Sequence, residues 1–224
     1  TYQIALDGAA VKTLTINEVD NDQAPDPNYD ALVGWWTFDD PANPWKDSSP
    51  KNHQGVSTVS TVQQNSNRCL FSDSANKSFQ IHRSAESMPL HQDMTVSFWL
   101  QSTPNTERGT IIGTGYKDEF RLRIAKDNSL VLYQGGKQYN PGKLERDELK
   151  ENTWLHFALM RSGNYFYVYV NGNPKGYFNA STVVSPTDKK LYLTAAPCKM
   201  DDVRIYNRAL GKIAISNLCS TTHP

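Results

Sequence analysis

Carboxylates are the first residues in this sequence that could perform chemistry, and the adjacent pair Asp201 and Asp202 in KMDDVRIYNRAL stands out. Retaining cleavage of a glycosidic bond needs two carboxyl groups held about 5 Å apart on one face. Neighbouring residues on a strand point to opposite faces, so we expect that this pair cannot do that work together. Carboxylates two residues apart, such as Asp20 and Asp22, occur only in polar segments. We therefore predict no catalytic residues and no enzyme activity.

Aromatic rings outside the core are the next candidates, because a sugar can stack on a planar ring while nearby polar groups bond its hydroxyls. The residues predicted to bind a ligand are Tyr116, Arg121, Arg123, Tyr133, Tyr139 and Tyr177. The arginines favour an acidic or sulfated glycan, since a guanidinium makes bidentate contacts with such groups. Alternatively, the arginines form a solvated strand face and the tyrosines fill a small core beneath loops.

The charge balance excludes two classes of partner. The chain has 23 basic and 23 acidic residues and a formal net charge of zero. It therefore lacks the electrostatic field that nucleic acid or an anionic membrane requires. No run approaches the roughly 18 apolar residues of a membrane helix, so membrane insertion is not expected.

Three cysteines, Cys69, Cys198 and Cys219, lack the CxxC spacing of a zinc site. A disulfide between Cys198 and Cys219 is compatible with the sequence, and so is a set of free thiols. Cysteine usage therefore does not decide the compartment.

Strands must position these candidates, because short aromatic and β-branched runs separated by Gly, Pro, Asn and Asp dominate from Ala31 onwards. In FRLRIA, apolar residues alternate with Arg121 and Arg123, which predicts a half-buried strand with a charged outer face. In YFYVYV both faces are apolar, which predicts a central strand of a covered sheet.

The chain divides into two parts. Residues 1–30 are predicted to be a strand and linker, which fits the tail of a preceding domain, because a strand-like run is followed by a segment rich in Pro, Asp and Asn. Residues 31–224 are predicted to form one domain. A short helix is expected after Arg208, with Leu210, Ile213 and Leu218 facing inward.

A family resemblance is carried by LVGWWTFDD, KDSSPKNHQG, MTVSFWLQ, NTWLHFALMRSGNYFYVYVNG and MDDVRIYNRAL. In this order and spacing the segments resemble laminin G-like, concanavalin A-like lectin domains, over about Ala31 to Leu218. The resemblance implies an all-β fold, a two-sheet antiparallel jelly-roll sandwich with one short C-terminal helix. It also implies an extracellular or cell-surface location, with the signal and anchor outside this chain.

The resemblance further implies a structural calcium ion, since such domains often bind one. Calcium takes six to eight oxygen ligands, usually from loops. The predicted metal ligands are Asp40, Asp47, Asn52 and Asp201, in part through backbone oxygens. The alternative is that Asp47 begins an Asx turn and that Asp201 caps a strand corner through backbone N–H groups.

The function expected from these observations is that of a non-catalytic carbohydrate-binding or adhesive module within a larger surface or secreted protein. Its partner would be a glycan or an extracellular protein. A protein-interaction or spacer domain without a sugar site is the main alternative, and a glycoside hydrolase or lyase is a further one.

Overall fold

The computed structural model describes most of the chain. The described residues are 2–3, 13–14, 26–64, 67–74, 77–102, 109–114, 119–145, 148–150, 152–180, 184–195, 197–221 and 224. Two short strands, β1 (Tyr2–Gln3) and β2 (Thr13–Leu14), pair with each other in antiparallel fashion within the segment predicted as a strand and linker.

Residues 26–221 hold fifteen further strands and one α-helix in their described part. A 3₁₀ turn, Tyr29–Ala31, leads into the first of these strands. The strands are β3 (Leu32–Trp36), β4 (Gly55–Ser57), β5 (Ser60–Gln64), β6 (Asn67–Ser72), β7 (Phe79–Ile81), β8 (Met94–Ser102), β9 (Thr110–Gly113), β10 (Arg121–Ile124), β11 (Ser129–Gln134), β12 (Lys137–Lys143), β13 (Trp154–Ser162), β14 (Tyr165–Val170), β15 (Asn173–Asn179), β16 (Leu191–Ala195) and β17 (Cys198–Tyr206). The helix is α1 (Lys212–Thr221).

These strands form two antiparallel sheets. The seven-stranded sheet has the order β12-β11-β10-β9-β16-β7-β4. The eight-stranded sheet has the order β15-β14-β13-β8-β17-β6-β5, and β3 also pairs with β17. The predicted all-β, two-sheet jelly-roll sandwich with a short C-terminal helix is therefore confirmed.

The main core lies between the sheets and is rich in aromatic rings. Phe98 and Phe157, which are partners across β8 and β13, stack with centroids 5.5 Å apart. Trp36 meets Phe79 of the other sheet edge to face at 6.1 Å. Aromatic pairs of this kind add to the free energy gained from burial alone. Phe120, Leu122 and Ile124 are buried, so the alternation predicted in FRLRIA is confirmed.

A second, smaller core lies on the outer face of the eight-stranded sheet, where α1 covers it. Leu210, Ile215 and Leu218 pack there with Tyr169 and Tyr206. The prediction of a helix is confirmed, but its expected inward residue Ile213 is wrong, since its side chain is 78% exposed. The helix begins at Lys212, and Ile215, two positions after Ile213, is the residue that packs against the sheet.

Strand β14, YFYVYV, also departs from expectation. It lies between β13 and β15, but its tyrosine face is covered only toward its end, where Tyr169 is buried. Tyr165 at the start of the strand is 41% exposed, so the sheet is not covered throughout.

Candidate functional site

The outer face of the seven-stranded sheet carries one continuous row of side chains. Direct register partners connect one position on every strand, so the row crosses the whole sheet. In spatial order the row is Val56, Gln80, Tyr192, Gly113, Arg121, Tyr133 and Gln138. Side chains opposite one another on adjacent strands lie close enough to interact, so these residues form a single surface.

At one end of the row, three side chains are held together. The guanidinium carbon of Arg121 lies 5.2 Å from the centroid of the Tyr133 ring. The hydroxyl of Tyr133 donates a 2.9 Å hydrogen bond to Oε1 of Gln138. The ring is fixed at its hydroxyl, so it supports the guanidinium in a defined position.

The other half of the row is more open. The Tyr192 side chain is 37% exposed, and Gln80 beside it accepts a 3.2 Å hydrogen bond from Nζ of Lys190. Gly113 lies between Tyr192 and Arg121 in the row, and its backbone is buried against the adjacent strand. A ring, an amide and a cation in one row can contact the face of a sugar and its hydroxyls.

The predicted ligand-binding residues divide among several places. Arg121 and Tyr133 belong to the row, and Arg123 follows two positions after Arg121 on the same outer face. Tyr139 instead stacks on Phe178 at 4.4 Å, against the main core. Tyr116 lies outside the described residues.

The remaining predicted residue, Tyr177, lies on the other sheet. It forms a tyrosine cluster with its cross-strand partner Tyr167, at 5.8 Å between ring centroids, and with Tyr165, at 6.4 Å. Tyr177 is 65% exposed, so this cluster is a second aromatic surface beside the helix-covered core.

Sequence reasoning missed Gln80, Tyr192 and Gln138. Gln80 and Tyr192 lie on short strands and alternate with apolar neighbours, whereas Gln138 lies between Lys137 and Tyr139 on the polar strand β12. Alternation placed Gln80 and Tyr192 outward, but the row depends on which strands are neighbours, and β16 pairs with β7 and β9 from distant parts of the chain.

Asp47, a predicted metal ligand, is buried and fully hydrogen-bonded. Its Oδ1 accepts from the backbone N–H groups of Trp35 (2.9 Å) and Ser49 (2.8 Å), and its Oδ2 accepts from the backbone N–H (2.7 Å) and Nδ1 (3.0 Å) of His53. Burial alone raises the pKa of this carboxyl, but the hydrogen bonds outweigh burial and lower it. The Ser49 bond is the expected Asx turn.

Asp201 is bonded in a different place. Its Oδ1 accepts from the backbone N–H of Asp202 at 2.8 Å and its Oδ2 accepts from Nδ2 of Asn67 at 2.9 Å. Burial, together with the negative charges of Asp39 and Asp202, raises the pKa of Asp201 to about 8.

The expected alternation of Asp201 and Asp202 is wrong. A register shift interrupts β17 between Asp201 and Arg204, and Asp202 has a φ of +42°. As a result Asp202 binds Nε1 of Trp35 at 2.7 Å and Nε of Arg204 at 3.1 Å, on the outer side of the sheet. Both carboxylates are buried in these contacts, so neither is open to a substrate.

The donor set does not fit a calcium ion at the four predicted residues. An ionised carboxylate has about four acceptor positions, and Asp47 uses four within the chain. Asp47 and Asn52 line one shallow depression, Asp40 lines the adjacent one, and Asp201 lines neither. Among the described residues, no three His, Cys, Asp or Glu side chains come together as metal ligands. The calcium ion stays a prediction.

The cysteines and the helix complete the description of the domain. Cys69, Cys198 and Cys219 are free thiols, and Cys198 lies in the main core, so the disulfide between Cys198 and Cys219 is not formed. Within the described ranges, no helix is long and apolar enough to cross a membrane.

The fold defines the class of protein: an antiparallel, two-sheet jelly-roll domain. Residues 73–216 match the family model Laminin_G_3, the concanavalin A-like lectin/glucanases superfamily. The chain belongs to this superfamily. No curated protein matches the sequence.

Solved structures with the same fold include two toxin domains. The binding domain of Paraclostridial Mosquitocidal Protein 1 matches with a TM-score of 0.74 at 16% identity, over 87% of this chain and 53% of that one. The receptor-binding domain of a botulinum neurotoxin C/D mosaic serotype matches with a TM-score of 0.72 at 14% identity, over 86% and 51%. The chain thus spans about half the length of these toxin domains.

A third structure has nearly the length of this domain. It is domain 4 of AbnA, an extracellular arabinanase from Geobacillus stearothermophilus, in complex with arabinotriose. It matches with a TM-score of 0.63 at 16% identity, over 84% of this chain and 98% of that one. At these identities the likeness shows the fold alone.

Proposed function

We propose that this domain is a non-catalytic carbohydrate-binding module that binds glycan along the row on the seven-stranded sheet. The observation that carries the proposal is the strand register that brings Gln80, Tyr192 and Arg121 into one row on the outer face of the sheet. Sugar rings stack on exposed aromatic faces, and the amides of Gln80 and Gln138 can bond hydroxyl groups on either side.

The comparisons support a binding role without specifying the ligand. The arabinanase domain was solved with an oligosaccharide, and the toxin domains are described as binding or receptor-binding domains. We propose that this domain likewise acts outside the cell, as part of a larger surface or secreted protein, with a glycan or an extracellular protein as its partner.

The absence of acid residues from the sheet supports a non-catalytic role. None of the seven strands contains an Asp or Glu. Acid-base cleavage of a glycosidic bond uses a pair of carboxyl groups, and these strands supply none to the row.

A glycan array with the whole domain tests the proposal, with Tyr192→Ala as the variant and Tyr177→Ala as its control. Both tyrosines are exposed, but Tyr177 lies on the other sheet. We expect Tyr192→Ala to lose about tenfold or more in affinity, since stacking on a ring and its burial contribute about 1–2 kcal/mol. If only Tyr177→Ala loses binding, the site is on the other sheet. If no glycan binds the domain, the proposal fails.

A second candidate function is protein binding through the tyrosine cluster of Tyr165, Tyr167 and Tyr177. Exposed tyrosines are enriched in protein interfaces, because they bury a large area with few rotatable bonds. If no glycan on the array bound the domain, and both tyrosine variants were folded, the result would favour this function.

A further inference from the structure

We propose that the glycan bound along the row is anionic, with its carboxylate or sulfate groups held by Arg121 and Arg123. The inference rests on the proposed function and specifies the class of ligand. It comes from the distribution of charge between the two sheets and from the lack of a carboxylate partner for these two side chains among the described residues.

The seven-stranded sheet is a cationic surface in a chain of zero net charge. Its strands contain Arg121, Arg123, Lys137 and Lys143, and no acidic residue. Both acidic strand residues of the sandwich, Asp201 and Asp202, belong to the eight-stranded sheet. These strands therefore supply positive charge and no negative charge, although Lys143 lies 3.8 Å from the Asp127 carboxylate in the turn between β10 and β11 and the chain as a whole is neutral.

Neither arginine of β10 has a carboxylate partner among the described residues. Other arginines of the domain do: Arg83 pairs with Glu119, and Arg204 binds Asp202. The Nε atoms of Arg121 and Arg123 are moreover buried without a hydrogen-bond acceptor. Both guanidinium charges therefore lack a carboxylate within the described residues, and an anionic group of a ligand can supply one.

The spacing of the two arginines suits a repeating anionic ligand. They are two residues apart on one strand, so their Cα atoms lie about 7 Å apart and their side chains leave the same face. The pair can converge on one anionic group or hold two groups on neighbouring sugars. The Tyr133 ring already orients the Arg121 side chain, so this side chain loses less conformational entropy when a ligand binds.

The rest of the row distinguishes a glycan from nucleic acid as the anionic ligand. Gln80 and Gln138 offer amides suited to the hydroxyl groups of a sugar. Single-stranded DNA is included in the test, and preferential binding to it would overturn the proposal.

The test uses two matched pairs of polysaccharide probes: dextran sulfate with dextran, and polygalacturonate with its fully methyl-esterified form. Isothermal titration calorimetry with the whole domain is expected to show binding to at least one anionic probe. The affinity for its neutral counterpart should be lower by about tenfold or more. The first pair reports on sulfate, and the second reports on carboxylate. Equal binding of a neutral probe and its anionic form overturns the proposal.

The double variant Arg121→Gln/Arg123→Gln is expected to lose about tenfold or more for the anionic probe, because charged hydrogen bonds are the strong ones. Lys51→Gln/Lys212→Gln removes the same charge from exposed positions off these strands and should change affinity less than about twofold. Equal losses in both double variants would show non-specific attraction and would overturn the proposal.

The two proposals fail in different ways. If neutral glycans bind and Tyr192→Ala abolishes that binding while the arginine variant does not change it, the row binds sugar but the anionic assignment is wrong. If no probe binds and no variant matters, the proposed function itself is wrong. Circular dichroism of each variant checks that it is folded.

Discussion

Arg121 lies over the ring of Tyr133, its direct partner across β10 and β11, with 5.2 Å between guanidinium carbon and ring centroid. A cation over an aromatic face is attracted by about 0.5–1 kcal/mol at exposed sites. The pair therefore links the two parts of the candidate site, the cation and the aromatic surface, before any ligand arrives.

Replacing Tyr133 by Leu should weaken binding of an anionic glycan about two- to fivefold, because Arg121 loses the ring that orients it. Tyr133→Phe is the matched control, since it keeps the ring and removes only the hydroxyl that binds Gln138. Titration calorimetry measures both. A Phe variant as weak as the Leu variant would assign the effect to the hydroxyl instead.

Gly113→Ala should destabilise the domain by about 1–3 kcal/mol. An added Cβ would lie 2.5 Å from the Cα of Arg121 and 2.6 Å from the backbone oxygen of Phe120, so the strands must separate. Gly211→Ala is the control, because nothing lies within 4 Å of a Cβ there. Urea unfolding compares the two, and similar midpoints would show that the contact between β9 and β10 is easily relaxed.

Asp201 should make stability fall as the pH rises from about 4 to about 8. Its folded pKa of about 8 lies above the 3.8 of an ordinary aspartate, so only the unfolded state releases the proton in this range. The contribution is fully present below pH 3.8 and is lost as the pH approaches 8.

Burial also raises the pKa of Glu119, so comparison with Asp201→Asn between pH 6.5 and 8 separates the effect of Asp201 from that of Glu119. His156, whose pKa burial and Arg204 lower from 6.5 to about 4, makes stability rise with pH below 6.5 and is constant above it. Asp201→Asn should flatten the fall between pH 6.5 and 8 in urea unfolding. An unchanged slope would show that Asp201 is already ionised in the folded protein.

Asp47→Ala should cost about 3 kcal/mol or more, because it leaves buried N–H groups of Trp35, Ser49 and His53 without an acceptor. Asp40→Ala is the control. Asp40 accepts from two N–H groups in an exposed turn, where water replaces it, so we expect less than about 1 kcal/mol. Thermal unfolding at neutral pH measures the difference. If both variants lost the same stability, the hydrogen bonds of Asp47 would contribute no more than those of an exposed turn.

Calcium should leave the melting temperature unchanged within about 1 °C relative to chelator, because the Asp47 oxygens are already bonded within the chain. An ion present at one hundred times its dissociation constant would add about 2.7 kcal/mol and raise the melting temperature by several degrees. Differential scanning calorimetry distinguishes the two results, and such a rise would support the predicted calcium site.

Much of the fold followed from local patterns in the sequence. The alternation in FRLRIA identifies the buried and exposed faces of β10, because a period of two is a property of the strand itself. The prediction that Ile213 faces inward was wrong. The buried face of a helix depends on where the helix starts and on its angle to the sheet, and the sequence near Lys212 specifies neither.

The candidate site was predictable only in part. Arg121 and Tyr133 lie on consecutive strands, so a hairpin brings them together. Tyr192 joins them because β16 inserts beside β9, which is a long-range pairing. Asp202 does not follow the alternation of a regular strand, because a bulge interrupts β17 between Asp201 and Arg204. The contacts of Asp202 with Trp35 and Arg204 accompany this bulge, and they come from the folded structure rather than from local sequence preference.

The edge strands β12 and β15 approach each other closely at two glycines. A Cβ on Gly142 would lie 2.7 Å from the backbone oxygen of Lys175, and one on Gly176 would collide with the backbone of Pro141. Unpaired strand edges are sites where a second chain can add and start aggregation. Here the two sheets shield each other's edge, so this side of the sandwich is closed to the addition of a strand from a second chain.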